Sequence, residues 1–134
     1  MLTRPSLHAL PVDYARPALE VLVELRQRSP HLFDQIEIWM DGGVRRGTDV
    51  VKALCLGATA VGLGRPFLFA QSGFGQPGAE RAVDILTEEI ERCMRFLGVT
   101  KIEQLGPHLI DVLPRVFASS GGHTQPSPSP PRPE

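Results

Sequence analysis

Two short segments hold the residue types that could bind an anion. The first runs Asp41-Gly42-Gly43-Val44-Arg45-Arg46-Gly47-Thr48 and the second Gly62-Leu63-Gly64-Arg65-Pro66. Glycines let a backbone come close to a phosphate, and arginine presents a fork of donors to its oxygens. Each segment follows a mostly apolar stretch, with Ile36, Ile38, Trp39 and Met40 in one case and Ala58, Ala60 and Val61 in the other. A strand running into glycines and an arginine is how the last two βα turns of a (β/α)₈ barrel form a phosphate site. Arg45 and Arg65 stand 20 positions apart, room for one crossover helix and the next strand. A phosphate-bearing cofactor is the first functional expectation. Asp41, at the end of a strand, is read as fixing the turn rather than as a catalytic acid. Arg46 is expected to be a solvated neighbour or an ion-pair partner, and Lys52 a helix-surface charge. His31, His108 and His123 lack metal-ligand spacing and are expected at the surface.

Other elements must position those segments. Met1 to Asp13 shows no periodicity and is read as irregular. Pro17 suits a first helical position, and Ala18, Leu19, Val21, Leu22 and Leu25 recur at helical spacing as far as Pro30. His31 to Gln35 is expected to be a short connection. The strand that follows, with Ile36, Ile38 and Met40, ends at Asp41-Gly42-Gly43, and Trp39 should pack between strand and helix. Gly47 or Thr48 would cap the next helix, with Asp49 in its first turn and Gly57 as its stop. Its apolar positions are Val50, Val51, Ala53, Leu54 and Leu56. Ala58 to Leu63 reads as a strand covered on both faces.

Pro66 to Ala70 is expected as a short helix and Ser72 to Gly78 as a glycine-rich turn. Ala79 to Leu97 reads as a long helix with Ala82, Val83, Ile85, Leu86, Ile90, Cys93, Met94 and Leu97 on one broad face, ended by Gly98. Thr100-Lys-Ile-Glu103 is a capping-box pattern for a last short helix. The order gives a parallel βαβ unit with the ligand at the carboxyl ends of the strands. Two strands, apolar on both faces, need others beside them, so the chain reads as about a quarter of a barrel of roughly 250 residues.

With 134 residues there is room for one domain, and a formal net charge of −1 without clustered arginines argues against a nucleic-acid partner. No apolar run approaches the roughly 20 residues that span a bilayer, and the first residues lack a signal core. The carboxyl end does not match the peroxisomal Ser-Lys-Leu address. Cys55 and Cys93 have neither metal-ligand nor disulfide-framework spacing and are read as reduced thiols within helices. A soluble, cytoplasmic protein with no membrane partner is expected. From Ala118 serine, glycine and proline dominate, which reads as a disordered tail. The expected division is an irregular 1–12, a barrel-type domain over 13–117, and a tail over 118–134.

At Asp41 to Ala58, Val61-Gly-Leu-Gly-Arg-Pro-Phe67 and Glu88-Glu-Ile-Glu-Arg-Cys-Met-Arg-Phe-Leu-Gly-Val99, the chain resembles the C-terminal part of the FMN-dependent α-hydroxy acid dehydrogenases, from about Asp13 to about Leu113. The resemblance implies the last two βα units and terminal helices of a (β/α)₈ TIM barrel with FMN at its mouth. It also implies an oxidoreductase in which a 2-hydroxy acid of the L-lactate or glycolate type gives its α-hydrogen and two electrons to the flavin. Asp41, Gly42, Gly43, Val44 and Arg45 would belong to one cofactor-binding stretch, and Gly64 and Arg65 to the other. The family's catalytic histidine and substrate-binding arginine, which precede the position of Asp13, fall on Leu7 and Leu10. Leucine neither accepts a proton nor pairs with a carboxylate, so no catalytic residue is assigned. A shift in register would bring His8 to the base position but no guanidinium to Leu10. The chain by itself is expected to be inactive.

The loss of pattern before Asp13 reads as truncation or a misread exon boundary. A competing reading is a non-catalytic fragment or assembly module that docks its strand edges onto a partner barrel. A third is a different phosphate-binding barrel enzyme. The charged face with Glu88, Glu89, Glu91 and Arg92 is expected to be solvated, or to touch a neighbouring subunit in a homo-oligomer.

Overall fold

The computed structural model describes residues 16–112. The readings of residues 1–12 and 118–134, and those of Leu7, His8, Leu10 and His123, lie outside the described residues. Helix α1 (Ala18–Arg28) is followed by a four-residue helix α2 (Leu32–Gln35), strand β1 (Trp39–Asp41), helix α3 (Gly47–Cys55), strand β2 (Ala60–Gly62) and helix α4 (Arg65–Leu97). Two 3₁₀ turns, Ile102–Gln104 and Pro107–Leu109, complete the order.

The strands pair in parallel, with Trp39 opposite Ala60, Met40 opposite Val61 and Asp41 opposite Gly62. Successive side chains of a strand point to opposite faces. Ile38 and Met40 are buried in a core with Leu22, Val23, Val44, Val50, Ala53, Leu56 and Ala58. That core lies between the strand pair and helices α1 and α3, so the helices form a layer on one face.

The other face changes two expectations. Trp39 is 50% exposed instead of packed between strand and helix. Ala60, Val61, Gly62 and Leu63 are half-buried instead of covered on both sides. Val61 and Leu63 still pack against the core, whereas Ala60 and Gly62 share the open side with Trp39 and Asp41.

Helix ends follow their local chemistry. Pro17 stands just before α1, with extended ψ, rather than as its first residue. Gly57 (φ 97°) ends α3. There the Gly57 N–H donates to the Leu54 carbonyl at 2.9 Å and the Ala58 N–H to the Ala53 carbonyl at 3.0 Å, the paired closure a left-handed residue permits. Gly98 (φ 72°) closes α4 in the same way, onto Arg95 and Met94.

Three other expectations differ. His31 to Gln35 winds into α2, because Ser29, Pro30 and Leu32 carbonyls accept from Leu32, Phe33 and Ile36 N–H groups. The turn brings Phe33 against the core and under the Arg26 guanidinium, 4.6 Å from the ring centre. Ser72 to Gly78 is helical within α4 except for a kink at Gly75 (φ 63°, ψ −152°), a conformation open essentially to glycine alone. The cap of the first 3₁₀ turn is Gln104, not Glu103. Its Oε1 accepts from the Thr100 and Lys101 N–H groups at 2.8 and 3.0 Å.

Candidate anion-binding cleft

The in-step pairing of Asp41 with Gly62 ends both strands at one edge, so the turns that follow emerge side by side. Between them lies a cleft of about 560 Å³ lined by Asp41, Gly42, Gly43, Val44, Arg45 and Arg46 from one turn, and by Gly62, Gly64, Arg65, Pro66 and Phe69 from the other. All seven residues assigned from sequence therefore meet in one place. Arg46, Gly62, Pro66 and Phe69 were not assigned. The Gly-Arg-Pro-Phe order held a hint, since a helix starting at Arg65 returns residue 69 to the side of its first turn.

Gly42 (φ 104°) and Gly43 (φ 83°) are both left-handed, a path that L side chains rarely follow. At Gly43 and Gly64 a side-chain carbon would meet nothing within 4 Å. The cleft thus has open space where two side chains are missing. Val44 lines it but is only 5% exposed, its side chain forming part of the core.

Charge completes the arrangement. Among the described residues neither the Arg45 nor the Arg65 guanidinium has an ion-pair partner. Arg46 has one. Its Nη1 donates to Glu89 Oε1 at 2.9 Å. Asp41 is the one carboxylate lining the cleft. Two uncompensated guanidinium groups beside glycine backbone suit a phosphate dianion, and a carboxylate at the margin suits hydroxyl donors.

The first turn is held by two acids. Asp49 Oδ2 accepts from the Arg45 and Arg46 N–H groups, each at 3.1 Å, satisfying donors that a helix N-terminus leaves open. Helix α3 accordingly begins after Arg46, ahead of the expected Gly47 or Thr48 cap. Glu89 of α4 accepts from the Gly47 N–H at 2.7 Å. That hydrogen bond, with the Arg46 guanidinium second, holds the Glu89 carboxyl below its ordinary value. Glu89 was expected on a solvated face; its side chain is only 21% exposed.

Cys55 is buried and free, and burial pushes its thiol pKa up. His31 and His108 are exposed, and no cluster of His, Cys, Asp or Glu among the described residues could hold a metal ion. No described helix is long and apolar enough to cross a membrane.

A family model described as FMN-dependent dehydrogenase matches residues 10–112. L-lactate dehydrogenase (cytochrome) of Saccharomyces cerevisiae is 56% identical over 105 residues, covering 75% of this chain and 17% of the yeast protein. The 2-hydroxyacid oxidase 2 of Rattus norvegicus is 49% identical over 76 residues, covering 57% of this chain and 22% of the rat protein. The recombinant flavin-binding domain of baker's yeast flavocytochrome b2 superposes with a TM-score of 0.71 at 47% identity, covering 92% of this chain and 34% of that one. The chain thus spans about a fifth of the length of these curated relatives. Its strands and helices are the C-terminal portion of a (β/α)₈ barrel, and the chain belongs to the FMN-dependent dehydrogenase family.

Proposed function

We propose that this chain carries the phosphate-binding part of the FMN site of a 2-hydroxy acid oxidoreductase. The observation that carries the reading is the convergence of Arg45 and Arg65, without ion-pair partners among the described residues, on a cleft bordered by Gly43 and Gly64. Arg45 and Arg65 hold the phosphate by charge-assisted hydrogen bonds. Gly42, Gly43 and Gly64 let the main chain approach it, with Val44 completing the turn. Asp41 accepts hydrogen bonds from the hydroxyl groups of the attached polyol. FMN, when bound, would supply the two-electron acceptor for oxidising a 2-hydroxy acid to a 2-oxo acid, a change that removes both the α-hydrogen and the hydroxyl proton.

The chemistry at the substrate carbon needs a base and a carboxylate-binding cation, and Leu7 and Leu10 supply neither. The chain's own part is to bind and orient. L-lactate or glycolate would be turned over only in a complete barrel, the substrate class being that named for the yeast and rat relatives. A domain over 13–117 and a cytoplasmic location, consistent with two free cysteines, belong to the same reading.

Titration of the purified chain with FMN, riboflavin and inorganic phosphate is the test. FMN should bind and riboflavin, which lacks the phosphate, should bind far more weakly. Equal affinity for the two would reject the phosphate role.

A second reading is supported by the half-buried strand pair and exposed Trp39: a module that docks onto a partner barrel, or onto its own copy in a homo-oligomer. Solubility that depends on a co-expressed barrel, with no flavin retained, would favour it.

A further inference from the structure

The cleft is made of two turns from different parts of the chain, and the two arms of α4, which meet at the Gly75 kink, each reach one of them. Arg65, the first residue of α4, is in the cleft wall. Glu89, 24 residues further on and beyond the kink, grips the other turn. Its Oε2 accepts from the Gly47 N–H at 2.7 Å and its Oε1 from Arg46 Nη1 at 2.9 Å.

Contact here is close because residue 47 is glycine. A β-carbon would lie 2.6 Å from Glu89 Cβ and 2.7 Å from the Ile90 nitrogen. Gly47 is buried, so its N–H has no alternative partner in bulk water. Arg45 is two residues upstream, its own N–H held by Asp49.

We propose that Glu89 is a positioning residue for the anion cleft, fixing the Asp41–Arg46 turn against α4 so that Arg45 and Arg65 face one phosphate. The proposal rests on the anion-binding role of that cleft. Glu89 also pairs with Arg46, so of the three guanidinium groups at the cleft it is Arg45 and Arg65 that have no ion-pair partner among the described residues. The charged groups around Glu89 are Arg46 from the turn and Arg92 on its own helix, with Asp49 of α3 on the neighbouring amides.

The test uses the full 134-residue chain with FMN and inorganic phosphate as probes, in wild type, Glu89→Gln, Glu89→Ala, Arg45→Ala and Arg65→Ala. The Gln variant keeps an acceptor for the Gly47 N–H and removes the charge; the Ala variant removes both. Glu89→Ala should weaken FMN and phosphate by about ten-fold while Glu89→Gln largely restores them, as for the loss of one hydrogen bond to a charged group. A ligand affinity in Glu89→Ala equal to wild type, while Arg45→Ala and Arg65→Ala lose binding, overturns the positioning role and leaves the cleft reading intact. Unchanged affinity in the two arginine variants overturns the cleft reading itself.

Should Glu89→Ala fail to fold, the Gly47 amide resonance of wild type and Glu89→Gln decides. Phosphate should shift the Gly47 and Arg45 amides together in both proteins. A Gly47 amide blind to phosphate while that of Arg45 responds overturns the proposal.

Discussion

Arg45 and Arg65 carry the largest consequences of any single side chains. Each is exposed and at the cleft, and removing either should weaken FMN or phosphate binding by about 1.5–3 kcal/mol, the range for a hydrogen bond to a charged group. Calorimetric titration of Arg45→Ala and Arg65→Ala checks this, with Lys52→Ala as a surface control. Cys55 has 0% exposure and a raised thiol pKa. Its thiolate is scarce and shielded, so iodoacetamide near neutral pH should leave it unmodified until denaturant is added. Mass spectrometry of the alkylated peptide gives the answer. Trp39 is the only tryptophan and half-exposed, so its emission should be red-shifted and quenched by acrylamide. A blue-shifted, protected tryptophan would mean that something covers the open face.

Helices α3 and α4 depend on glycines at particular points. Gly47→Ala drives a methyl group into Glu89 Cβ and the Ile90 backbone, and overpacking of this kind costs about 1–3 kcal/mol. Gly75→Ala forces an L residue into the φ 63°, ψ −152° conformation at the kink of α4, which is open essentially to glycine alone, at a cost of about 1–3 kcal/mol. Chemical denaturation at low protein concentration measures both.

The Glu89 clamp also has a pH signature. Its carboxyl titrates lower in the folded chain than the ordinary 4.5 it regains on unfolding. The stability it contributes is therefore present above that value and is lost as pH falls through the folded pKa. Denaturation midpoints of wild type should fall on acidification through that window more steeply than those of Glu89→Gln.

On the scale of the whole molecule, the strand pair has, among the described residues, helices on one face only. In a (β/α)₈ barrel the other face looks into the barrel, where side chains from several strands pack in layers. Trp39 and Asp41 alternate with buried Met40 and point to that side. Unpaired strand edges and a face that leaves Trp39 uncovered are poorly tolerated by an isolated chain. Light scattering should show concentration-dependent association of the chain alone, reduced by a partner that completes the sheet. A dilute monomer with a sharp cooperative melt would count against this.

Local chemistry in the residue order was enough for much of the architecture. The parallel strand–helix–strand unit, the stops at Gly57 and Gly98, and the gathering of Asp41 to Arg45 with Gly64 and Arg65 follow from apolar periodicity and from where glycine and arginine stand relative to strand ends. Those are contacts between near neighbours, or consequences of one crossover. The glycine-rich stretch announced a break between the last two helical stretches, and the break is there, but its narrowing to a kink at Gly75 was not legible, because several glycines together read as a longer turn. The role of Glu89 was hidden for a different reason. Its partners are Arg46 and Gly47, more than 40 residues away, and among several acids on a polar helix nothing local distinguishes it. Trp39 illustrates the same boundary: alternation along a strand assigns it a side, but whether that side is covered depends on elements distant in sequence, so only the tertiary arrangement could decide it.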